Sequence, residues 1–325
     1  MGASATPAVT TTLAAKVALP PVALAHGGSG SKRKLQKDGT DAAAAKALAV
    51  VKAGGTALEG ALAGTVVLED DPRFNAGTGS NIRMDGKTIQ MDAACMDGTT
   101  GAFGAVAAIE RVKNPVLVAR QVMDTPHIFI VGDGATRFAR AMGHADFYPE
   151  SPQAHARYEK VKRILNGKEM GDASEAWKRF NWQKAWNFTT GLKEALGSPD
   201  TVGCVARDKQ GNYAAGISTG GTTITLYGRV GDVPIYGAGI FAGPKGSVAC
   251  TGEGEVIVKH LVAKSVYDLM AGGMAPQTAV NRAIKAFPVE FDLGIIAISD
   301  KGEGGGCNYG ESKVYTENMA WSIAR

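Results

Sequence analysis

Two apolar runs, Thr201-Val-Gly-Cys-Val-Ala206 and Tyr213-Ala-Ala-Gly-Ile-Ser218, flank the polar cluster Arg207-Asp-Lys-Gln-Gly-Asn212. Gly211 stands where a tight turn needs a positive φ, so the whole reads as a buried β-hairpin around which the remaining chain must pack. One end of that hairpin also collects chemistry. Thr201 opens the first strand, Thr219 follows the second among glycines, and Arg229 and Asp232 come next in one turn-rich segment. A threonine heading a strand is ordinarily a β-branched residue in its preferred place. Its company here argues for a site.

A threonine hydroxyl is a poor nucleophile until a base takes its proton, and a threonine that begins a chain carries such a base in its own α-amine. That amine titrates at about pH 8, so part of it is neutral at physiological pH. Thr201 is internal, so this chemistry requires a cut between Asp200 and Thr201.

Asp200-Thr-Val-Gly203, Ser218-Thr-Gly-Gly221, Gly228-Arg-Val-Gly-Asp232, Gly237-Ala-Gly239 and Cys250-Thr-Gly-Glu-Gly-Glu255 resemble, in order and spacing, the β-subunit motifs of plant-type (type III) L-asparaginases, also called isoaspartyl peptidases. These are N-terminal-nucleophile (Ntn) hydrolases. The resemblance continues upstream in His26-Gly-Gly28, Phe74-Asn-Ala-Gly77, Asp92-Ala-Ala94 with Met96-Asp-Gly98, and Lys113-Asn-Pro-Val-Leu-Val-Ala119. It leaves out the first twenty residues, about 145–199 and the C-terminal tail.

The resemblance implies an α+β fold, a four-layer αββα sandwich, with 21–200 forming an α subunit and 201–325 a β subunit. It implies a heterotetramer, (αβ)2, acting on β-aspartyl dipeptides or L-asparagine. By position, the backbone carbonyls of Leu68, Glu69, Asp71, Phe74, Ala76 and Thr78 would wrap a structural Na+, and Asn75 would position Thr201. Gly254 would offer a carbonyl to the substrate ammonium, and Thr219 would hydrogen-bond the nucleophile or assist the cut.

The chain has 325 residues, 45% of them hydrophobic and 20% charged, enough for a sizeable core. A net charge of +4 with scattered Lys and Arg makes no case for nucleic acid. No apolar run is long enough to span a bilayer. Cys95, Cys204, Cys250 and Cys307 fall singly, which suggests buried thiols and a cytoplasmic location, with the periplasm left open. Residues 1–20, without a basic leader, read as a disordered tail.

In chain order, Pro21–His26 reads as a buried strand, Ser31–Lys37 as a surface loop, Asp41–Lys52 as a helix and Thr56 as the cap of a second helix to Leu68. Asn81–Met84, Thr88–Met96 and Gly101–Ile109 suggest a meander. Asn114–Met123 reads as a helix, Ile128–Val131 as a buried strand and Gly134–Met142 as a helix. The stretch 144–198, with Trp177, Phe180, Trp182, Trp186 and Phe188, suggests a docked helical piece; as a base-stacking surface it lacks platform strands. Beyond the hairpin, Pro234–Phe241 and Ser247–Cys250 read as strands, Thr251–Met270 as one helix, Pro276 as the start of another, and Phe291–Ser299 as a closing strand.

Thr251 is ordinarily a helix cap there, yet its hydroxyl and the Gly252 N–H also suit an oxyanion. Arg229, between Gly228 and Gly231, suits bidentate capture of an α-carboxylate, and Asp232 an α-ammonium. His26 reads as a satisfied structural residue, and no histidine spacing suggests a transition metal.

Two rival readings stand beside this one. Gly216-Ile-Ser218-Thr-Gly220 matches the nucleophile elbow of an α/β-hydrolase esterase, with Asp232 and His260 in the right order, although no helix is expected after Gly220. A non-catalytic protein could also use Arg229 and Asp232 merely to bind amino acids. Leu226-Tyr227, the loop 242–246 and the tail after Asp300 depart from the family pattern, which leaves open the choice between asparagine and dipeptides.

Overall fold

The computed structural model describes residues 19–83, 85–163, 182–185, 201–222, 225–308 and 319–325. Asp200, the tail through residue 18, and Trp177, Phe180, Trp186 and Phe188 lie outside them. The elements are β1 (Val22–His26), α1 (Arg33–Lys52), α2 (Ala57–Asp70), a 3-10 turn (Gly77–Gly79), β2 (Met91–Asp97), β3 (Phe103–Ile109), α3 (Pro115–Val122), β4 (Phe129–Val131), α4 (Gly132–Ala141), α5 (Pro152–Arg163) and α6 (Trp182–Ala185). They continue with β5 (Thr201–Arg207), β6 (Tyr213–Thr219), β7 (Ile240–Gly243), β8 (Gly246–Gly252), α7 (Gly254–His260), α8 (Val262–Ala271), α9 (Pro276–Ala286), β9 (Leu293–Ser299), β10 (Gly302–Cys307) and β11 (Trp321–Ala324).

The strands form a seven-stranded sheet, β11-β1-β5-β6-β2-β3-β4, and a four-stranded sheet, β10-β9-β8-β7. All neighbours are antiparallel except β3 and β4. Mixed α+β architecture is therefore as the sequence implies. Alternation along β5 and β6 sends Val202, Cys204, Ala206 and Ala214 into a core with α1 and α2, while Val205, Ala215 and Ile217 join the apolar face of the smaller sheet. A third core packs α3, α4 and α5 on β2 and β3. No helix among the described residues is long and apolar enough to cross a membrane.

Local signals behave as expected where they are strong. Thr56 and Glu59 complete a capping box: Glu59 N–H donates to Thr56 Oγ1 at 3.2 Å and Thr56 N–H to Glu59 Oε2 at 2.8 Å. The central hairpin turns with Gly211 at φ 72°.

Other expectations are corrected. Helix α1 begins at Arg33, so of Ser31–Lys37 only Ser31 and Lys32 are loop. Gly39 lies inside this helix, where a β-carbon would come within 2.6 Å of the Phe74 ring. Asn81–Arg83 is not a strand, and β4 is an edge strand rather than a buried one, with Ile128 and Val131 exposed.

Most of Pro234–Phe241 folds into turns, because the N–H groups of Ile235 and Gly239 both close on the Asp232 carbonyl. The expected helix from Thr251 is two helices broken at Leu261, whose φ is 44°. The carbonyls of Ala238 and Gly237 there satisfy the first-turn N–H groups of Ala263 and Lys264. The tail after Asp300 supplies both β10 and β11.

Candidate active site

Thr201 begins β5 and is the register partner of Thr219 at the end of β6. Both side chains lie on the face turned toward the smaller sheet, both are buried, and the Thr201 hydroxyl donates to Thr219 Oγ1 at 3.1 Å. Gly203 faces His26 on β1, where a β-carbon would stand 2.5 Å from His26 Nε2. His26 is only partly satisfied: Nδ1 accepts the Gly28 N–H at 3.3 Å, whereas Nε2 has no partner among the described residues. Complete burial holds this imidazole down at about 3, so it is neutral.

The segment after Thr219 is held at each carbonyl in turn. Arg83 Nη1 donates to Gly220 O at 2.8 Å and to Thr222 O at 2.9 Å, while Asn75 Nδ2 and Asn81 Nδ2 both donate to Gly221 O, at 2.8 and 2.9 Å. The Gly221 N–H then donates to Thr219 Oγ1 at 2.9 Å. Asn75 also accepts the Asn81 N–H on Oδ1 and the Gly220 N–H on its carbonyl. Arg83 and Asn81 carried no expectation from sequence; a charged residue inside an apparent strand was the available signal.

Thr251 and Gly252 end β8, so the helix-cap reading of Thr251 is corrected: the residue before α7 is Glu253, which makes no side-chain cap. Thr251 is fully buried and its Oγ1 accepts the Ser29 N–H at 3.2 Å. Gly252 has φ 137°, and a β-carbon there would lie 2.1 Å from the Asp292 carbonyl, which excludes other residues.

Arg229, Asp232 and Gly254 meet. A β-carbon on Gly254 would lie 2.9 Å from Asp232 Oδ1 and 3.1 Å from Arg229 Nη2. Arg229 forms a fork with Glu255, at 2.8 and 2.7 Å, a partner the sequence left unidentified. Asp232 is wholly buried, its Oδ2 has no partner among the described residues, and burial pushes its carboxyl up to about 7. Asp92 supports this loop from β2, accepting the Gly231 N–H at 3.3 Å and the Ala108 N–H at 2.8 Å. Gln90 does the same one turn earlier, accepting the Gly228 N–H at 2.8 Å.

Leu68 and Glu69 close α2, and Asp71, Phe74, Ala76 and Thr78 follow in the turn. Pro72 has no N–H to offer the Leu68 carbonyl, and the Arg73 N–H goes to Asp71 Oδ1 at 3.0 Å instead of to Glu69. The β-carbon positions of Gly77 and Gly79 lie 2.5 Å from Glu69 O and 1.9 Å from Phe74 O, so these carbonyls crowd into one turn. Neutral carbonyls of this kind fit a hard monovalent cation. Among the described residues no group of His, Cys, Asp or Glu could hold a metal ion.

The esterase reading is overturned. Ser218 sits inside β6 on the outward face, away from Thr201, and no helix follows it among the described residues before α7. His260 is exposed beside Phe287.

Comparison with known proteins agrees with the geometry. Residues 20–322 match the family described as asparaginase. The chain is 38% identical to a plant-type L-asparaginase of Pyrococcus abyssi, covering 93% of this chain and 95% of the relative. It is 35% identical to an isoaspartyl peptidase/L-asparaginase of Danio rerio, covering 86% of each. It is 38% identical to an isoaspartyl peptidase of Salmonella typhimurium, covering 78% of each. With the threonine pair, the Arg229–Asp232 loop and the match running along nearly its whole length, the chain belongs to the asparaginase family of amide-bond hydrolases.

Proposed function

We propose that this chain is cut between Asp200 and Thr201 and that Thr201 then hydrolyses β-aspartyl dipeptides, L-asparagine or both, releasing L-aspartate. The observation that carries this reading is the Thr201 hydroxyl, buried at the head of β5 and 3.1 Å from Thr219 Oγ1. In the cut, Thr201 Oγ attacks the Asp200 carbonyl and the Asp200–Thr201 C–N bond breaks, which moves the acyl group to Oγ and frees the Thr201 amine; water then hydrolyses that ester, leaving Asp200 as a carboxylate and Thr201 with its hydroxyl restored. In turnover that amine, directly or through water, takes the Oγ proton as Oγ attacks the substrate side-chain carbonyl. Thr251 and the Gly252 N–H stabilise the oxyanion, an interaction typically worth about 3 kcal/mol of barrier. The leaving amine departs protonated, and water releases aspartate from the β-aspartyl ester.

Arg229 takes the substrate α-carboxylate, while Asp232 with the Gly254 carbonyl takes the α-ammonium. Together they demand an amino-acid end with both groups free, which a β-aspartyl linkage provides. Asn75 reaches the nucleophile through the Gly220–Gly221 segment. The carbonyls of Leu68, Glu69, Asp71, Phe74, Ala76 and Thr78 would hold Na+, whose charge would fix that turn rather than enter the chemistry.

We read the two sheets and their covering helices as the four-layer αββα sandwich of an Ntn hydrolase, with two cut chains assembling as (αβ)2. Mass spectrometry of the active protein tests the proposal. Two fragments with Thr201 as a new N-terminus are expected, and an active chain that remains whole would refute it.

A further inference from the structure

Helix α5 belongs to the segment that precedes β5, and it is firmly seated. Ala154 and Tyr158 are buried in the core under β2 and β3, and the Ala154 N–H donates to Ser151 Oγ at 3.1 Å. From this helix the half-buried Arg157 donates through Nε to Asn81 Oδ1 at 2.9 Å and through Nη2 to the Gly79 carbonyl.

The first contact decides which way the Asn81 amide faces. With Oδ1 against the guanidinium, Nδ2 meets the Gly221 carbonyl at 2.9 Å. Turning the amide over would set NH2 against guanidinium on one side and oxygen against oxygen on the other. Gly221 has φ 67°, a left-handed conformation, and its N–H donates to Thr219 Oγ1 at 2.9 Å. Thr219 Oγ1 in turn receives the Thr201 hydroxyl. Hydrogen bonds therefore run without a gap from Arg157 through Asn81, Gly221 and Thr219 to Thr201.

We propose that Arg157 is a positioning residue for the threonine pair, so that α5 remains a working part of the enzyme after the chain is cut beyond it. This rests on Thr201 being the nucleophile. A guanidinium suits the task because its fork grips two acceptors at once, Asn81 Oδ1 and Gly79 O, and so fixes direction as well as distance. The second grip falls on the turn that carries Ala76 and Thr78, which ties the same helix to the cation loop.

The test uses the full chain with the substitutions Arg157→Ala and Asn81→Ala, alone and together. For L-asparagine hydrolysis, Arg157→Ala is expected to lower kcat by about 10- to 100-fold, the cost of a small misplacement at a reacting centre. KM should stay within about twofold, and added guanidinium ion should restore part of the lost kcat. Because the two residues act in series, the double variant should be no slower than the worse single one. Asn81→Asp, which keeps shape but turns the donor to Gly221 into an acceptor, leaves α5 untouched and should show the same kcat loss.

Additive losses in the double variant, an effect confined to KM, or unchanged kcat in Asn81→Asp would each overturn the assignment while the parent protein is cut and active. A parent that hydrolyses substrate without being cut would instead sink the nucleophile reading, and this inference with it.

Discussion

Thr201 donates its hydroxyl proton to Thr219 Oγ1 across a register pair of the central hairpin, at 3.1 Å, with both side chains buried. Thr219 also accepts the Gly221 N–H, so its oxygen is held in place and helps to orient the Thr201 hydroxyl. Thr201→Ala should therefore leave a single uncut chain on a denaturing gel and no detectable hydrolysis. Thr219→Val, which keeps the branched shape, should fold but cut slowly.

With Asp232 holding the substrate ammonium, as proposed, the reaction is expected to depend on pH. Burial pushes its carboxyl up to about 7, and only the ionised form attracts an ammonium group. In a pH–rate profile, kcat/KM should fall steeply as pH drops below about 7, where Asp232 protonates as well as the Thr201 amine, and Asp232→Asn should keep only the amine's shallower fall and raise KM. Stability runs the other way: a raised carboxyl favours the fold below its unfolded value and loses that contribution as pH rises through the folded one. Asp232→Asn should therefore melt higher, relative to the parent, at pH 8 than at pH 5.

Ser218→Ala should hydrolyse substrate at the parental rate. The serine is fully buried within β6, facing the helices, and its Oγ makes no hydrogen bond among the described residues. A large loss of turnover in this variant would revive the nucleophile elbow.

Arg83 is fully buried and donates to the carbonyls of Gly220, Thr222 and Gln90. Burial lowers its guanidinium to about 10, which still leaves it charged at neutral pH. Arg83→Met would strand those carbonyls without donors. Denaturant titration should show a stability loss of roughly 3 kcal/mol or more, at 1–3 kcal/mol for each stranded buried group.

Transfer from sodium buffer into tetramethylammonium, a cation too large for a carbonyl cage, should lower the melting temperature and kcat together. Returning Na+ should restore both. EDTA should change neither, since the expected donors are neutral oxygens suited to a monovalent ion.

The hairpin, the Thr56 helix cap and the Pro-initiated helices α3 and α9 were legible because each is written within a few neighbouring residues. What escaped depends on distant pairing. Asp92 can hold Gly231 only because β2 lies beside β6 with Asp92 opposite Thr219. Arg229 could be read as aimed, but its fork with Glu255 follows from where α7 starts, after β8 has ended in Thr251-Gly252. Gly39 inside α1 and Leu261 at the break between α7 and α8 escaped for one shared reason. Each has its conformation or size dictated by a partner far along the chain, the Phe74 ring in one case and the Gly237–Ala238 carbonyls near α8 in the other.

A fresh chain end ordinarily frays, because nothing pairs its first few residues on either side. Here β5 is paired along its whole length with β6, Thr201 lying opposite Thr219, and from Gly203 onward with β1 as well, with β11 beyond β1. Severing the backbone just ahead of it would thus create a terminus already paired on one side, Thr201 to Thr219, and anchored on both sides two residues later. Strands from the two pieces would interleave across the sheet, with β1 of the first held between β11 and β5 of the second, so neither could leave without unzipping its neighbours, and scission would change the chemistry while sparing the architecture.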